Sequence, residues 1–456
     1  MRAWTRQRRG AARAALELSS SHPRPADPES SSSDVLIRIS HVALQFSSES
    51  LFKLLPVLPF TPPPVPELEF SGTIVAAGNA AAADVRDIGT RVIAFCTIRD
   101  MILGRGALAE YVRVPSGNAT RLQEDADMAA MAGVLGSGST ALKMLRVGGV
   151  RARSRVLVNG ASGSVGSVLV QLCKRRGVHV VAVASGGNEE MVRGLGADEI
   201  ILSVVDRSKQ FIDYRKHEPL LPDHLASTYG EQQFDFVLDC VGLQALYINS
   251  PSYLKPDGAV INIGGMEGVG ATLWSSIMNT WCPTWLGGVP RRYAFFTTVP
   301  TQDDALVLVK MVEEGELKAA VDSVFEMEDA IQAYERVATR RARGRVVVKV
   351  QRDCTSSSSL SRHNSATSIT LVRQTGRSPK VASKTRRVNF SSKARSISPI
   401  SNSSAFGACS APSAAQSSCK AQGVRLGGVI SPPSTVLTRG YRDESARGLC
   451  NKGTAT

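Results

Sequence analysis

The 456-residue sequence lacks several features that would decide its class at once. No run of about 18 apolar residues occurs, so no membrane-spanning helix is predicted. Histidine is scarce, with 6 in the chain, and the 8 cysteines stand singly without a Cys-x-x-Cys pair. Because a zinc site needs three or four grouped ligands, no metal site is predicted. Scattered single cysteines are typical of free thiols in a reducing compartment, which favours the cytoplasm.

Acidic residues are scarce in the C-terminal part of the chain. Residues 351–456 hold 16 lysines and arginines against 3 acidic residues, whereas residues 1–350 hold 38 against 37. The formal charge of +14 therefore belongs to a serine-rich tail without apolar periodicity, and this composition predicts disorder. The nearly neutral body predicts no specific nucleic-acid binding. For the tail, an inert extension, a nuclear signal and binding to acidic partners all stay open.

The opening residues are also unusual in charge. The stretch MRAWTRQRRGAARAAL contains five arginines and no acidic residue. An arginine-rich, acid-poor start is typical of an organelle transit peptide. A mitochondrial location is therefore the alternative to a cytoplasmic one.

A strand–turn–helix–strand pattern occupies the middle of the chain, in VLVNGASGSVGSVLVQLCKRRGVHVVAVAS. Two short apolar runs, Val156–Val158 and Val178–Ala184, predict buried parallel strands. Between them, Ser167–Arg176 has helical spacing with basic residues near its end, which suit the helix dipole. Three glycines lie where the first strand turns into the helix: Gly160, Gly163 and Gly166.

This glycine turn predicts a dinucleotide site, although an ordinary tight turn is the simpler alternative. Glycine lets the backbone approach a pyrophosphate closely, and the N-terminus of the following helix offers N–H groups and partial positive charge. The strands on both sides strengthen the cofactor interpretation. The residues expected to contact the cofactor here are Gly160, Ser162, Gly163, Ser164, Val165 and Gly166.

The rest of the body supports a two-part α/β protein. Short strands punctuated by glycine and proline, such as ELEFSGTIVAAG and LAEYVRVP, precede the turn, and further strand–helix units follow it. With GLGADEI, FDFVLDCVG and GRVVVKV, these motifs resemble the medium-chain dehydrogenase/reductase superfamily. They are most similar to its zinc-independent quinone oxidoreductase-like branch, of the zeta-crystallin and reticulon-4-interacting type. The short-chain reductase family does not fit, because no tyrosine is followed four residues later by lysine.

The resemblance implies an architecture for the whole body. A GroES-like, β-rich catalytic domain would comprise residues 1–139 and 316–350. A doubly wound Rossmann domain of residues 140–315 would bind the cofactor. The resemblance does not extend to residues 351–456, which we expect to be a disordered tail.

The resemblance also implies a reaction, namely hydride transfer from NADPH to a quinone or enone without metal. The segment Pro66–Gly72, which supplies ligands in zinc-dependent relatives, has no histidine or cysteine here. Thr140 matches a threonine beside the nicotinamide amide, with a helix-start cap as its alternative role. Gly264 would end a strand under the nicotinamide. Gln45 stands where the branch usually has asparagine, which leaves a non-catalytic NADPH-binding adaptor or sensor as the alternative function.

NADPH is expected rather than NADH because of the end of the second strand. NAD sites usually carry an acidic residue there, about 20 residues into the motif, but Ser185 occupies that place. Asn188 stands where relatives often have a phosphate-binding lysine. Tyr214 matches a further phosphate contact, although Ile200–Gln210 looks like an insertion before it. Asp239, which ends a neighbouring strand, is expected to cap the next helix rather than to act in catalysis.

Three of the four tryptophans lie close together between two predicted strands: Trp274, Trp281 and Trp285. They predict an apolar lid, a contact in a homodimer or a weak membrane contact. Ordinary core packing is the alternative. A homodimer acting on a small-molecule quinone or enone is the expected assembly.

Overall fold

The computed structural model describes residues 1–57, 63–97, 99–100, 103–203 and 221–351. Strands alternate with short helices along this part of the chain. The strands are β1 Ala3–Arg6, β2 Leu16–Ser19, β3 Asp34–Ala43, β4 Glu69–Ala77, β5 Arg91–Phe95, β6 Tyr111–Pro115, β7 Ala119–Arg121, β8 Arg155–Asn159, β9 His179–Ser185, β10 Glu199–Ser203, β11 Phe234–Asp239, β12 Leu254–Asn262, β13 Arg292–Phe295, β14 Val321–Glu326 and β15 Arg345–Lys349. The helices are α1 Ala12–Ala15, α2 Ser48–Leu54, α3 Met128–Ala132, α4 Val134–Gly148, α5 Ser164–Arg175, α6 Glu189–Gly194, α7 Leu221–Tyr229, α8 Gln244–Ile248, α9 Val269–Trp281, α10 Gln302–Glu313 and α11 Ala330–Ala338.

A seven-stranded sheet combines strands from both ends of the described chain. Its order is β14-β15-β3-β4-β5-β7, with β6 also paired to β3. β15 lies antiparallel to β3, so the strand of GRVVVKV completes a sheet that begins at Asp34. The buried side chains of this sheet, including Ile37, Phe70 and Val348, form one continuous core. This is the β-rich GroES-like part that the sequence predicts.

The second sheet has six parallel strands in the order β10-β9-β8-β11-β12-β13. Numbered from β8, this is the 3-2-1-4-5-6 order of a doubly wound Rossmann sheet. Its central strands β8 and β9 are apolar and buried between their end residues, as is typical of parallel strands whose two faces are covered by helices. The predicted α/β class with GroES-like and Rossmann parts is confirmed.

The arginine-rich start is folded into the first core. β1 and β2 form an antiparallel hairpin, and the indole of Trp4 donates to the carbonyl of Met327 at 2.8 Å. The guanidinium of Arg6 donates to the carbonyls of Leu55 and Pro56 at 2.9 and 2.8 Å. Arg6 thus links the β1–β2 hairpin to the end of α2.

The predicted insertion at Ile200–Gln210 begins with regular structure. Ile200 through Ser203 belong to β10 and pair with β9 in parallel register, so this part extends the Rossmann sheet. Tyr214 and the tail after Gln351 lie outside the described residues. Within the described part of the chain, no helix combines the length and apolarity that are needed to cross a membrane.

Candidate cofactor and active site

The glycine turn connects β8 to α5 in a conformation that other residues do not fit. Gly160 has a φ of +79°, in the left-handed region that glycine enters without steric cost. A Cβ on Gly166 would lie 2.2 Å from the carbonyl oxygen of Gly160, whereas one on Gly163 would lie 3.3 Å from the same oxygen. Gly160 and Gly166 therefore close the turn, and Gly163 leaves its outer side open.

The N-terminus of α5 offers donors to an anion. Gly163 is the N-cap, and no side chain caps the helix there. The first-turn N–H groups of an α-helix have no acceptor within the helix, so those of Ser164, Val165 and Gly166 point toward the space above the turn. The basic residues Lys174 and Arg175 lie in the last turn, where they suit the dipole. This is the cradle that a pyrophosphate requires.

Gly163 and Gly166 give a matched test of the turn. Gly166→Ala is expected to destabilise the protein by about 1–3 kcal/mol, because the new methyl overlaps backbone that has little room to move. Gly163→Ala is expected to cost about 1 kcal/mol or less, since its φ of −75° suits alanine and only the cap weakens. Thermal unfolding followed by circular dichroism compares them. Equal losses in the two variants would contradict the assignment.

A polar cluster lies at the end of β9, beside the turn. The side-chain amide of Asn188 donates to the hydroxyls of Ser162 and Ser185, both at 2.9 Å. Each hydroxyl thereby accepts a bond and keeps its own hydrogen to donate. The cluster contains no carboxylate, so it suits a phosphate better than a ribose 2′-OH.

The ends of β8, β11 and β12 converge next to the glycine turn. Asp239 is buried, and its carboxylate accepts from the backbone N–H groups of Val241, Gly242 and Leu243 and from the amide of Asn159. Burial raises the pKa of Asp239, although these four bonds oppose the shift. Asp239 thus organises the loop before α8; the expected helix cap is wrong, because its backbone partners precede the helix, whose N-cap is Leu243. A Cβ on Gly264 would lie 2.1 Å from the carbonyl carbon of Val241, so only glycine lets the two loops meet.

Gln45 and Thr140 are brought together by Glu69, which the sequence analysis did not single out. The Gln45 amide donates to Glu69 at 2.9 Å, and the backbone N–H of Gly136 donates to the same carboxylate at 2.8 Å. Thr140 lies inside α4 and donates its hydroxyl hydrogen to the carbonyl of Gly136 at 2.6 Å. The alternative role of Thr140 as a helix-start cap is therefore wrong, since Gly133 is the N-cap.

Glu69 is held by a buried cation. Arg345, on β15, approaches both carboxylate oxygens of Glu69 at 3.1 and 3.2 Å. The two side chains are 11% and 1% exposed. Arg345 also donates to the carbonyl of Leu44 and the hydroxyl of Ser137. This ion pair therefore ties β4, β15 and α4 together directly beneath Gln45.

Glu67 is a second buried carboxyl beside Gln45. It is fully buried, and its backbone has a φ of +70°, which is uncommon for a residue other than glycine. It accepts from the Tyr334 hydroxyl at 2.7 Å and from the backbone N–H of Gln45 at 3.0 Å. Burial raises the pKa of Glu67 to about 7, although hydrogen bonds from Tyr334, Ser48 and Gln45 oppose the shift. The signal in the sequence was an acid pair within the apolar stretch PELEFSG.

Two family descriptions match the chain, namely the alcohol dehydrogenase GroES-like domain over residues 31–124 and the zinc-binding dehydrogenase over residues 195–348. The medium chain reductase pydE of Acremonium sp is 46% identical over 373 residues, which cover 77% of this chain and 99% of that relative. The chain is a medium-chain reductase. It belongs to the medium-chain dehydrogenase/reductase family, and its oxidoreductase fold implies a nicotinamide cofactor.

Further relatives agree with the quinone oxidoreductase-like branch. The trans-enoyl reductase poxH of Penicillium oxalicum is 32% identical over 392 residues, covering 77% of this reductase and 98% of that protein. The solved quinone oxidoreductase from Coxiella burnetii has a TM-score of 0.61 at 22% identity, covering 77% of this chain and 99% of that one, and it supports the fold. The expected membership of the zinc-independent branch is confirmed.

The metal-ligand segment of zinc-dependent relatives forms part of the buried network in this reductase. Glu67, from Pro66–Gly72, accepts a hydrogen bond from Tyr334. Glu69, from the same segment, accepts from Gln45 and Arg345. Among the residues that the structure describes, no group of three or more His, Cys, Asp or Glu side chains is placed to hold a metal ion.

The three clustered tryptophans of the reductase lie on the surface. Trp274 and Trp281 belong to α9, which has no buried residue, and Trp285 follows in a short turn. Their exposed fractions lie between 66% and 80%. The core-packing alternative is therefore wrong for these three residues. They form an apolar patch next to β13, which is an edge strand of the Rossmann sheet.

Proposed function

We propose that this reductase uses NADPH to reduce the carbon–carbon double bond of a small enone or quinone. The observation that carries the proposal is the chain of contacts from Gln45 through Glu69 and Gly136 to Thr140. Relatives named as trans-enoyl reductases and quinone oxidoreductases support this class of substrate.

The residues present fit the cofactor. The glycine turn and the first turn of α5 would hold its pyrophosphate, because no side chain caps that helix and its first N–H groups are open to an anion. The polar cluster of Ser162, Ser185 and Asn188 would hold the adenosine phosphate, and Gly264, just after the end of β12, would lie at the nicotinamide end. When bound, the nicotinamide supplies a hydride. We assign the catalytic part to residues 1–139 and 316–350 and the cofactor part to residues 140–315.

Gln45 and Thr140 have complementary hydrogen-bonding capacity in this proposal. One hydrogen of the Gln45 amide is used by Glu69, and the second is available to donate to a substrate carbonyl. Such a bond stabilises the negative charge that develops on that oxygen as the double bond is reduced. Thr140 already donates its hydrogen to Gly136, so its oxygen accepts, as a carboxamide N–H requires.

The activity is tested with the purified full chain, NADPH and a panel of enones, quinones, saturated ketones and alcohols. NADPH oxidation with the enones or quinones, unaffected by a metal chelator, is the expected result. Oxidation only with ketones would overturn the substrate class. Cofactor binding without oxidation of any member would instead favour the adaptor or sensor.

We expect NADPH to bind at least tenfold more tightly than NADH. Two or three hydrogen bonds to the charged 2′-phosphate contribute about 1.5–3 kcal/mol each before ordering costs, and 1.4 kcal/mol corresponds to a factor of ten. Glu189, the acid nearest this cluster in sequence, is engaged by Arg193 at 2.8 Å. Fluorescence titration of both cofactors measures the ratio, and equal dissociation constants would refute the preference.

The apolar patch of Trp274, Trp281 and Trp285 is proposed as the contact surface of a homodimer. Large exposed apolar patches mark interaction sites, and β13 beside it offers a free strand edge. Wild-type protein is expected to run as a dimer in light-scattering chromatography, and Trp281→Glu is expected to be monomeric. A monomeric wild type that co-sediments with vesicles would favour the weak membrane contact instead.

The cytoplasm is the proposed compartment, because the four cysteines of the described body are all unpaired and reducing conditions preserve free thiols. One relative supports the mitochondrial alternative. The NAD(P)H oxidoreductase RTN4IP1 of Drosophila melanogaster, whose name includes the word mitochondrial, is 27% identical to this chain over 311 residues. Localisation of the full chain with a C-terminal fluorescent fusion distinguishes the two.

A further inference from the structure

Arg343, which precedes strand β15 of the GroES-like sheet, contacts the turn after β9 of the Rossmann sheet. Arg343 lies in the loop between α11 and β15, and its guanidinium donates to the carbonyl of Gly187 at 2.9 Å. Gly187 lies between Ser185 and Asn188, in the turn that follows β9. A Cβ on Gly187 would lie 3.4 Å from the same guanidinium nitrogen. Arg343 is thus already in contact with the turn that carries the polar cluster.

The charge of Arg343 is not neutralised by the acids around it. Its backbone N–H bonds to Asp322, but that carboxylate is held by Arg336 through two bonds of 2.7 and 2.8 Å. Hydrogen bonds from Arg336, Arg343 and Ser323 outweigh burial and lower the pKa of Asp322 to about 2. Glu189 pairs with Arg193. Among the ion pairs of the described chain, none involves Arg343, so a full positive charge faces a neutral carbonyl.

We propose that Arg343 binds the 2′-phosphate of NADPH and sets the preference over NADH. The proposal rests on the proposed function, which requires a nicotinamide cofactor at the glycine turn. A guanidinium matches a phosphate with two parallel donors and remains charged at any relevant pH. Arg343 thereby supplies the cation that is missing at Asn188, while the hydroxyls of Ser162 and Ser185 supply neutral donors.

This assignment gives the phosphate a second effect. Arg343 belongs to the loop that leads into β15, which pairs with β14 and β3 in the GroES-like sheet, whereas Gly187 follows the Rossmann strand β9. A phosphate held by Arg343, Ser185 and Ser162 therefore links the two sheets' loops at the adenosine end. NADH has no group to make this link, because its 2′-OH is smaller and uncharged.

The test compares the full-length wild type with Arg343→Gln, Arg343→Lys and the control Arg341→Gln. Arg341 lies in the same loop and is exposed, so its substitution removes the same charge two residues away. Titration calorimetry measures dissociation constants for NADPH, NADH, adenosine 2′,5′-bisphosphate and ADP. The bisphosphate carries the 2′-phosphate without a nicotinamide, so its binding does not depend on turnover.

Arg343→Gln is expected to weaken NADPH and the bisphosphate at least tenfold, while NADH and ADP change less than twofold. Arg343→Lys is expected to lie between wild type and Arg343→Gln, and Arg341→Gln to resemble wild type. A wild type that favours NADPH and an Arg343→Gln variant with the same ratio would overturn the role of Arg343 alone. A wild type that binds both cofactors equally would overturn the NADPH proposal together with it. Matching unfolding temperatures verify that each variant is folded.

Discussion

Glu69→Gln is expected to destabilise the reductase by about 3–5 kcal/mol and to reduce turnover more than a hundredfold. The substitution keeps the size of the side chain but removes its charge. Arg345 would then be a buried cation without its partner, and removing one member of a buried pair typically costs this amount. The amide cannot accept from Gln45, Gly136 and Arg345 together, as the carboxylate does.

Denaturant unfolding and steady-state turnover measure the two effects. Glu189→Gln is the matched control, because Glu189 pairs with Arg193 on the surface and exposed pairs contribute about 0–1 kcal/mol. A double variant, Glu69→Leu with Arg345→Met, separates stability from positioning. It is expected to regain much of the stability, since apolar residues can replace a buried pair, without regaining turnover. A Glu69→Gln variant as stable as the control would show that the pair is not energetically important.

Glu67 is expected to make the stability of the reductase fall by about 3 kcal/mol as pH rises. Burial raises its pKa from the ordinary 4.5 to about 7 in the folded chain. Between these values the folded state holds a proton that the unfolded state has released, so stability decreases with rising pH. The contribution is fully present below about pH 4.5 and is lost through pH 7, at about 1.4 kcal/mol per pH unit.

Glu67→Gln tests this directly, because a neutral amide mimics the protonated carboxyl. The variant is expected to lose this part of the pH dependence and to exceed wild-type stability above pH 7. Tyr334→Phe retains the carboxyl but removes the hydrogen bond that favours its charged form, so the decrease is expected at higher pH. Free energies of unfolding at pH 5, 6, 7 and 8 provide the measurement. Parallel curves for wild type and Glu67→Gln would rule out titration of this carboxyl.

The placement of the candidate site was predictable in part. The glycine turn and Ser185 are local in sequence, and they lie together because a β-α-β unit folds within a short stretch. Glu69 and Arg345 were not singled out, since a separation of 276 positions hides the pair from any local pattern. Arg343 stands among several arginines in TRRARGRV, and nothing in that run indicates which one contacts Gly187.

The sequence by itself determined the glycine turn, because apolar periodicity and glycine conformation act over a few residues at a time, and the resemblance of its motifs indicated the family and the two sheets. The tertiary structure alone decided that Gln45 and Thr140 share Glu69, that Glu67 is buried beside them and that Arg343 reaches Gly187. These contacts join segments that are far apart in the chain. Their burial and partners exist only after β15 has paired with β3 and the Rossmann sheet has formed beside it, so the charges of the site are set by packing rather than by neighbouring residues.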